Sequence, residues 1–164
     1  QNLFRLRDAK VRSAMTPRPV VFAMREDSHI SELLEKKSRR KFSRIPIYTG
    51  EDTITGFVLR DDLLVAQAEG SNENQLQEYR RDLKAIPESQ SLLQAFEDMI
   101  RSGSHIFLVV NEYGDTQGII TLEDILETLL GLEIVDESDT VEDMQILARR
   151  LASIRRQRLK QKND

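Results

Sequence analysis

A chain of 164 residues, 39% hydrophobic and 32% charged, is long enough for one compact domain or two small packed halves and is too apolar to be disordered. Its formal net charge of −4 gives no general reason to expect nucleic acid, and zero cysteines exclude a disulfide framework, a thiolate metal site and a cysteine nucleophile. No apolar run approaches the roughly 20 residues needed to span a bilayer, and no signal peptide is visible, so a chain that starts at Gln1 reads as an excised soluble piece of a longer protein.

In chain order, apolar Leu3, Phe4, Leu6, Val11 and Met15 among charges predict a short amphipathic helix over residues 3–15. Pro17 and Pro19 force an extended segment, after which residues 20–23 read as a short buried strand. Asp27 or Ser28 can cap the next helix, with Ile30, Leu33 and Leu34 on one face and a frayed end in the basic run 36–41. Residues 44–48 form a strand whose Pro46 belongs at an edge or in a ligand-lined cleft. A turn at 49–52 returns the chain through 54–58, and a helix follows over 60–68.

The polar stretch 70–74 separates this part from a second one. There, residues 83–86 before Pro87 predict a strand, Ser89 or Ser91 caps a helix carrying Leu92, Leu93, Phe96, Met99 and Ile100, and Gly103 stops it. Residues 105–110 are nearly continuously apolar, the mark of a strand buried on both faces. A turn at 111–115 leads into strand 118–121 and a helix. The tail opens acidic at 136–139, carries Val141, Met144, Leu147, Ala148, Leu151 and Ile154 at helical spacing, and ends basic, as the helix dipole favours.

Residues 56–64, Gly-Phe-Val-Leu-Arg-Asp-Asp-Leu-Leu, recur as residues 118–126, Gly-Ile-Ile-Thr-Leu-Glu-Asp-Ile-Leu, so one folding unit is written twice. The copies differ at the strand-to-helix junction, where Thr121 places a hydroxyl and Leu59 does not. Thr121 followed by Asp124 has two readings on spacing alone: a capping box, or a hydroxyl and carboxylate at a helix N-terminus able to take phosphate and ribose.

The tandem unit closed by Gly-apolar-apolar-Thr-x-x-Asp resembles the CBS domain pair, or Bateman module, over roughly residues 11–135. Met15-Thr16-Pro17-Arg18, Ser43-Arg44-Ile45-Pro46-Ile47, Asn111-Glu112-Tyr113-Gly114 and the run from Thr121 to Glu127 are similar to the cytosolic part of the CorC and CNNM proteins, bacterial members of which are called hemolysin-like. The resemblance implies an α+β fold (an α/β sandwich) in which each copy is a small sheet packed with helices. The divisions are a linker helix at 1–15, copy one at 16–70, a linker at 71–82, copy two at 83–135 and a C-terminal helical tail at 136–164.

It also implies that the pair binds an adenine nucleotide, AMP or ATP with Mg2+, between the copies. Thr121 would hold phosphate and Asp124 ribose hydroxyls, with Thr16, Phe42, Arg44, Ile45 and Pro46 completing the pocket and Arg44 supplying a cation. The corresponding site at Asp62 lacks a hydroxyl at Leu59 and is expected to be empty or weaker. The family further implies a preceding transmembrane domain, a place at the cytoplasmic face of a membrane, homodimerisation through the pairs, and a role in magnesium and cobalt transport or resistance.

Other readings of these residues remain open. Arg44 and Pro46 can be a solvated edge charge and an edge marker, and Phe42 can be core. His29 and His105 have no partner at metal-ligand spacing and read as structural or exposed; the acidic run at 136–143 lacks the glycine and spacing of a calcium loop. The basic tail is a solvated helix or a contact for anionic lipid, without the aromatic interleaving that nucleic acid would favour. Three functions compete: a nucleotide-sensing regulatory module, a structural dimerisation module without ligand, and a phosphohydrolase using Glu123 and Asp124. The last is disfavoured because neighbouring helical carboxylates diverge and no histidine or cysteine set supports them, so neither catalytic nor metal-ligating residues are expected.

Overall fold

The computed structural model describes residues 8–36 and 42–134, with residues 149, 156 and 160 in addition. Most of the expected first helix, the basic run at 37–41 and almost all of the C-terminal tail lie outside these residues. The described chain falls into two compact units, one made of residues up to Pro17 together with those from Ala85 onward, the other of Arg18–Lys84.

The first of these contains copy two. Helix α1 (Val11–Ala14) leads into strand β1 (Thr16–Pro17), and beyond copy one come β5 (Ala85–Pro87), α4 (Leu92–Ser102), β6 (Ile106–Val110), β7 (Thr116–Thr121) and α5 (Leu122–Ile134). The sheet runs β1-β7-β6-β5, with β5 and β6 parallel and the other pairs antiparallel. Central β6 is the strand its apolar run predicts, with Ile106, Phe107 and Val109 buried. Of the two candidate caps for α4, Ser91 is used: its Oγ accepts from the Gln94 N–H at 3.0 Å. Leu92, Ala95, Phe96 and Met99, at helical spacing, then face the core and are joined there by Ile120, Ile125 and Leu129.

α1 belongs to this core although it precedes copy one in sequence. Val11 is fully buried. Its N–H donates to the Gln90 carbonyl at 2.9 Å, and the Leu92 N–H donates to the Ala9 carbonyl at 2.8 Å. The chain entering from the N-terminal side is thus fastened to copy two before copy one begins.

The second unit contains copy one: a 3-10 turn (Arg18–Val20), β2 (Met24–Arg25), α2 (Ile30–Glu35), β3 (Arg44–Thr49), β4 (Thr53–Leu59), α3 (Arg60–Ala68) and a second 3-10 turn (Leu76–Tyr79). Its sheet runs β2-β3-β4, β2 parallel to β3 and β4 antiparallel to it. Ile30, Leu33, Leu34, Ile45, Ile47 and Leu63 anchor the core.

Two local expectations change, and a third, the edge placement of Pro46, is met within a middle strand. The strand expected at 20–23 forms instead at Met24–Arg25, because Pro17 and Pro19 hold φ near the value a tight turn needs and the chain coils once more, leaving Val20 68% exposed. Neither Asp27 nor Ser28 caps α2. His29 is the N-cap and makes no side-chain cap. The N–H groups of Ile30 and Ser31 are taken by the Asn74 and Asn72 carbonyls at 3.0 and 3.1 Å, so the polar stretch after copy one does the capping. Pro46 lies in the middle strand of the sheet, but β2 pairs with β3 only at Ile47 and Tyr48, so β3 is an edge along Arg44–Ile45–Pro46 and tolerates a missing donor there.

Candidate functional site

β7 ends at Thr121 and α5 starts at Leu122 with no intervening loop. The turn is closed by three hydrogen bonds: Leu122 N–H donates to the His105 carbonyl at 3.0 Å, Asp124 N–H to Thr121 Oγ1 at 3.2 Å, and Thr121 N–H to Asp124 Oδ2 at 3.1 Å. The last two make the reciprocal capping box anticipated from the spacing.

A third residue converges from far away in sequence. Thr16 Oγ1 donates to the same Asp124 Oδ2 at 3.4 Å. Thr16 lies opposite Ile119, and Pro17 opposite Gly118, in the β1–β7 ladder. Gly118 permits this approach: a Cβ there would run into the Thr16 carbonyl oxygen, which is backbone and cannot step aside.

The junction therefore presents two hydroxyls and one carboxylate, all partly buried, at the N-terminus of a 13-residue helix. Among the described residues Asp124 Oδ1 makes no hydrogen bond, so that oxygen retains its full capacity to accept from a ligand hydroxyl. The positive end of the helix dipole and the first-turn N–H groups favour an anion beside Thr121.

Thr16, Thr121 and Asp124, three of the seven expected site residues, are thus brought together. The other four lie in the copy-one unit. Phe42 is 41% exposed and stacks on Phe22, ring centroids 5.8 Å apart and planes 12° from parallel. Arg44 is partly buried and stands opposite Leu59 in the β3–β4 ladder. Ile45 is fully buried in the copy-one core, and Pro46 is buried beside it in β3. His29 Nδ1 donates to the Glu73 carbonyl at 2.6 Å, a structural use of the ring.

The equivalent junction in copy one is built differently. Leu59 is the N-cap of α3 and supplies no side-chain bond, leaving the Arg60 N–H to the Ser43 carbonyl at 2.9 Å. Asp62 Oδ2 is held by Arg81, with Nε at 3.0 Å and Nη2 at 2.9 Å. Arg81 was not a candidate from the sequence, since it falls in the stretch read as a linker. Its backbone exchanges two hydrogen bonds with Phe57, at 2.8 and 3.1 Å. Among the described residues no group of three or more histidine, cysteine or acidic side chains is arranged to hold a metal ion, and no helix is long and apolar enough to cross a membrane.

The CBS domain family model matches the chain twice, over residues 11–69 and 76–131. Hemolysin C of Rickettsia prowazekii is 36% identical over 140 residues, covering 84% of this chain and 46% of that protein. A UPF0053 protein of Synechocystis is 32% identical over 151 residues, 92% of this chain and 43% of that protein. The chain accordingly spans less than half the length of these curated relatives. The CBS domain of a bacterial CNNM/CorC family Mg2+ transporter, solved in complex with ATP, superposes with a TM-score of 0.72 at 28% identity, over 79% of this chain and 93% of that one. The duplicated strand-to-helix junction, the two mixed sheets and both family matches agree: the chain belongs to the CBS domain family, as a tandem pair similar to those of CNNM/CorC transporters and hemolysin-like proteins.

Proposed function

We propose that this tandem pair is a non-catalytic regulatory module that takes an adenine nucleotide, AMP or ATP with Mg2+, at the β7–α5 junction. The observation that carries the reading is the convergence of Thr16, Thr121 and Asp124 with Asp124 Oδ1 unengaged. In this reading Thr121 and the first turn of α5 receive phosphate, and Asp124 Oδ1 accepts from ribose hydroxyls. Phe42, Arg44, Ile45 and Pro46 enter this proposal as nucleotide contacts on the family resemblance. Support comes from the similar CNNM/CorC CBS domain that was solved with ATP.

The larger proposal is that the module is the cytoplasmic part of a membrane protein and biases an attached transmembrane domain that handles magnesium or cobalt. Its support is the greater length of the hemolysin-like relatives and the transporter family of the structural neighbour. Two copies associate as a homodimer, for which exposed Leu64 and Val65 on α3 offer apolar surface. Nucleotide then acts by favouring one arrangement of the module over another.

Titration calorimetry with AMP, ADP and ATP, each with and without Mg2+, tests the reading. Saturable heat is expected with at least one of them, weakened roughly tenfold or more by Thr121→Val, the loss of one charge-assisted bond. Absence of heat from folded protein with every nucleotide would overturn it. The second reading, a structural dimerisation module without ligand, is favoured by one observation: the capping box already gives Thr121 and Asp124 a use. That reading predicts unchanged calorimetric traces in the Thr121→Val protein.

A further inference from the structure

Both copies bring a crossing strand against the glycine that precedes the junction, and both let a residue of that strand reach the junction aspartate. In copy two the residue is Thr16, which lies opposite Ile119 and reaches Asp124. In copy one it is Arg81, which lies opposite Phe57 and reaches Asp62. The two positions correspond in register, because Gly56-Phe57 matches Gly118-Ile119 in the repeat. A Cβ on Gly56 would stand 2.6 Å from the Arg81 carbonyl oxygen, the same backbone closeness that Gly118 allows.

What differs is the chemistry delivered to the carboxylate. Thr16 offers a neutral hydroxyl to Asp124 Oδ2 at 3.4 Å. Arg81 offers two guanidinium nitrogens, both to Asp62 Oδ2, at 2.9 and 3.0 Å, so among the described residues Oδ1 is left over in each copy and the difference is that Asp62 has a cation of the chain's own against it. A carboxylate already paired with a guanidinium is a poorer acceptor for ribose hydroxyls than one that receives only neutral donors. Leu59 adds no hydroxyl for phosphate. Resting on the nucleotide reading of copy two, we infer that Arg81 is a built-in occupant of the copy-one site, which closes that site to nucleotide and gives the chain one nucleotide site instead of two.

The inference makes a gain-of-site experiment possible. Leu59→Thr with Arg81→Thr writes the copy-two set of hydroxyl, hydroxyl and carboxylate into copy one. The Arg81 side chain is 52% exposed, and its strand contact is made by backbone, which threonine keeps. Calorimetry with AMP and with ATP plus Mg2+ reads the number of sites per chain. The expected values are one for the starting protein, one for Leu59→Thr alone, and two for the double variant, of which one survives when Thr121→Val is added. Where the starting protein binds one nucleotide, a double variant that still binds only one would overturn the inference, as would two sites in the starting protein or in Leu59→Thr alone. If the starting protein binds nothing while the double variant binds one nucleotide, the reading of copy two fails and the closure by Arg81 stands; if neither binds, both fail.

Discussion

Copy one and copy two share a β-hairpin, a strand running directly into a helix, and an aspartate at the third helical position, yet they use that aspartate in opposite ways. Asp124 closes its own helix and receives one neutral hydroxyl. Asp62 makes no cap and is committed to an arginine. Duplication supplies two equal frames, and two side chains, at the junction and on the crossing strand, decide which aspartate already has a cation against it and which helix start carries a hydroxyl.

The sharpest way to break the comparison is through the cores beneath the two junctions. Ile120 and Val58 occupy matching positions and both are fully buried. Ile120→Ala is expected to cost about 2–5 kcal/mol, and Val58→Ala less, since the smaller side chain leaves a smaller cavity. Urea unfolding followed by circular dichroism measures both; an equal or larger loss at Val58 would mean that the copy-one core is the more tightly packed.

An intermediate effect belongs to the cap. Thr121→Val removes the Oγ1 that accepts the Asp124 N–H and should cost about 0.5–2 kcal/mol of stability, whereas Thr121→Ser keeps the bond and should restore most of it. The same pair of variants separates cap from ligand: in the nucleotide reading serine also restores affinity. A Thr121→Val protein as stable as the original would show that the Leu122 bond to His105 and the residue-121 N–H bond to Asp124 are enough to hold the helix start.

The smallest effect falls on the copy-one pair. Arg81 and Asp62 are 52% and 35% exposed, so solvent screens them, and Asp62→Asn is expected to change stability by less than about 1 kcal/mol. That difference should fade as salt is raised. A loss that persists in high salt would assign the pair a structural weight its exposure does not predict.

Much of this arrangement is legible in the sequence because it is local. Strand β4, helix α3, the Asn111–Asp115 turn and the buried stripe of α4 follow from periodicity and turn residues a few positions apart, and the Thr121–Asp124 cap follows from a spacing of three. The elements that sequence reading misplaces are decided by partners distant along the chain. α2 takes its first hydrogen bonds from Asn72 and Asn74, so no residue near 27 needed to cap it. Thr16 and Arg81 acquire their meaning only through the strands they cross, and nothing adjacent to Arg81 distinguishes it from a solvated linker charge.

The attachment of α1 and β1 to the copy-two sheet also sets the order in which the chain can fold. Copy one, Arg18–Lys84, is contiguous and can close as soon as it has been synthesised. The segment carrying Val11 and Thr16 must wait until β7 has been made, about a hundred residues later, before it finds its place beside Gly118. The order of closure is therefore nested along the chain, copy one finishing while the segment that carries Val11 and Thr16 still lacks its sheet, and a ribosome pausing within copy two would prolong that state.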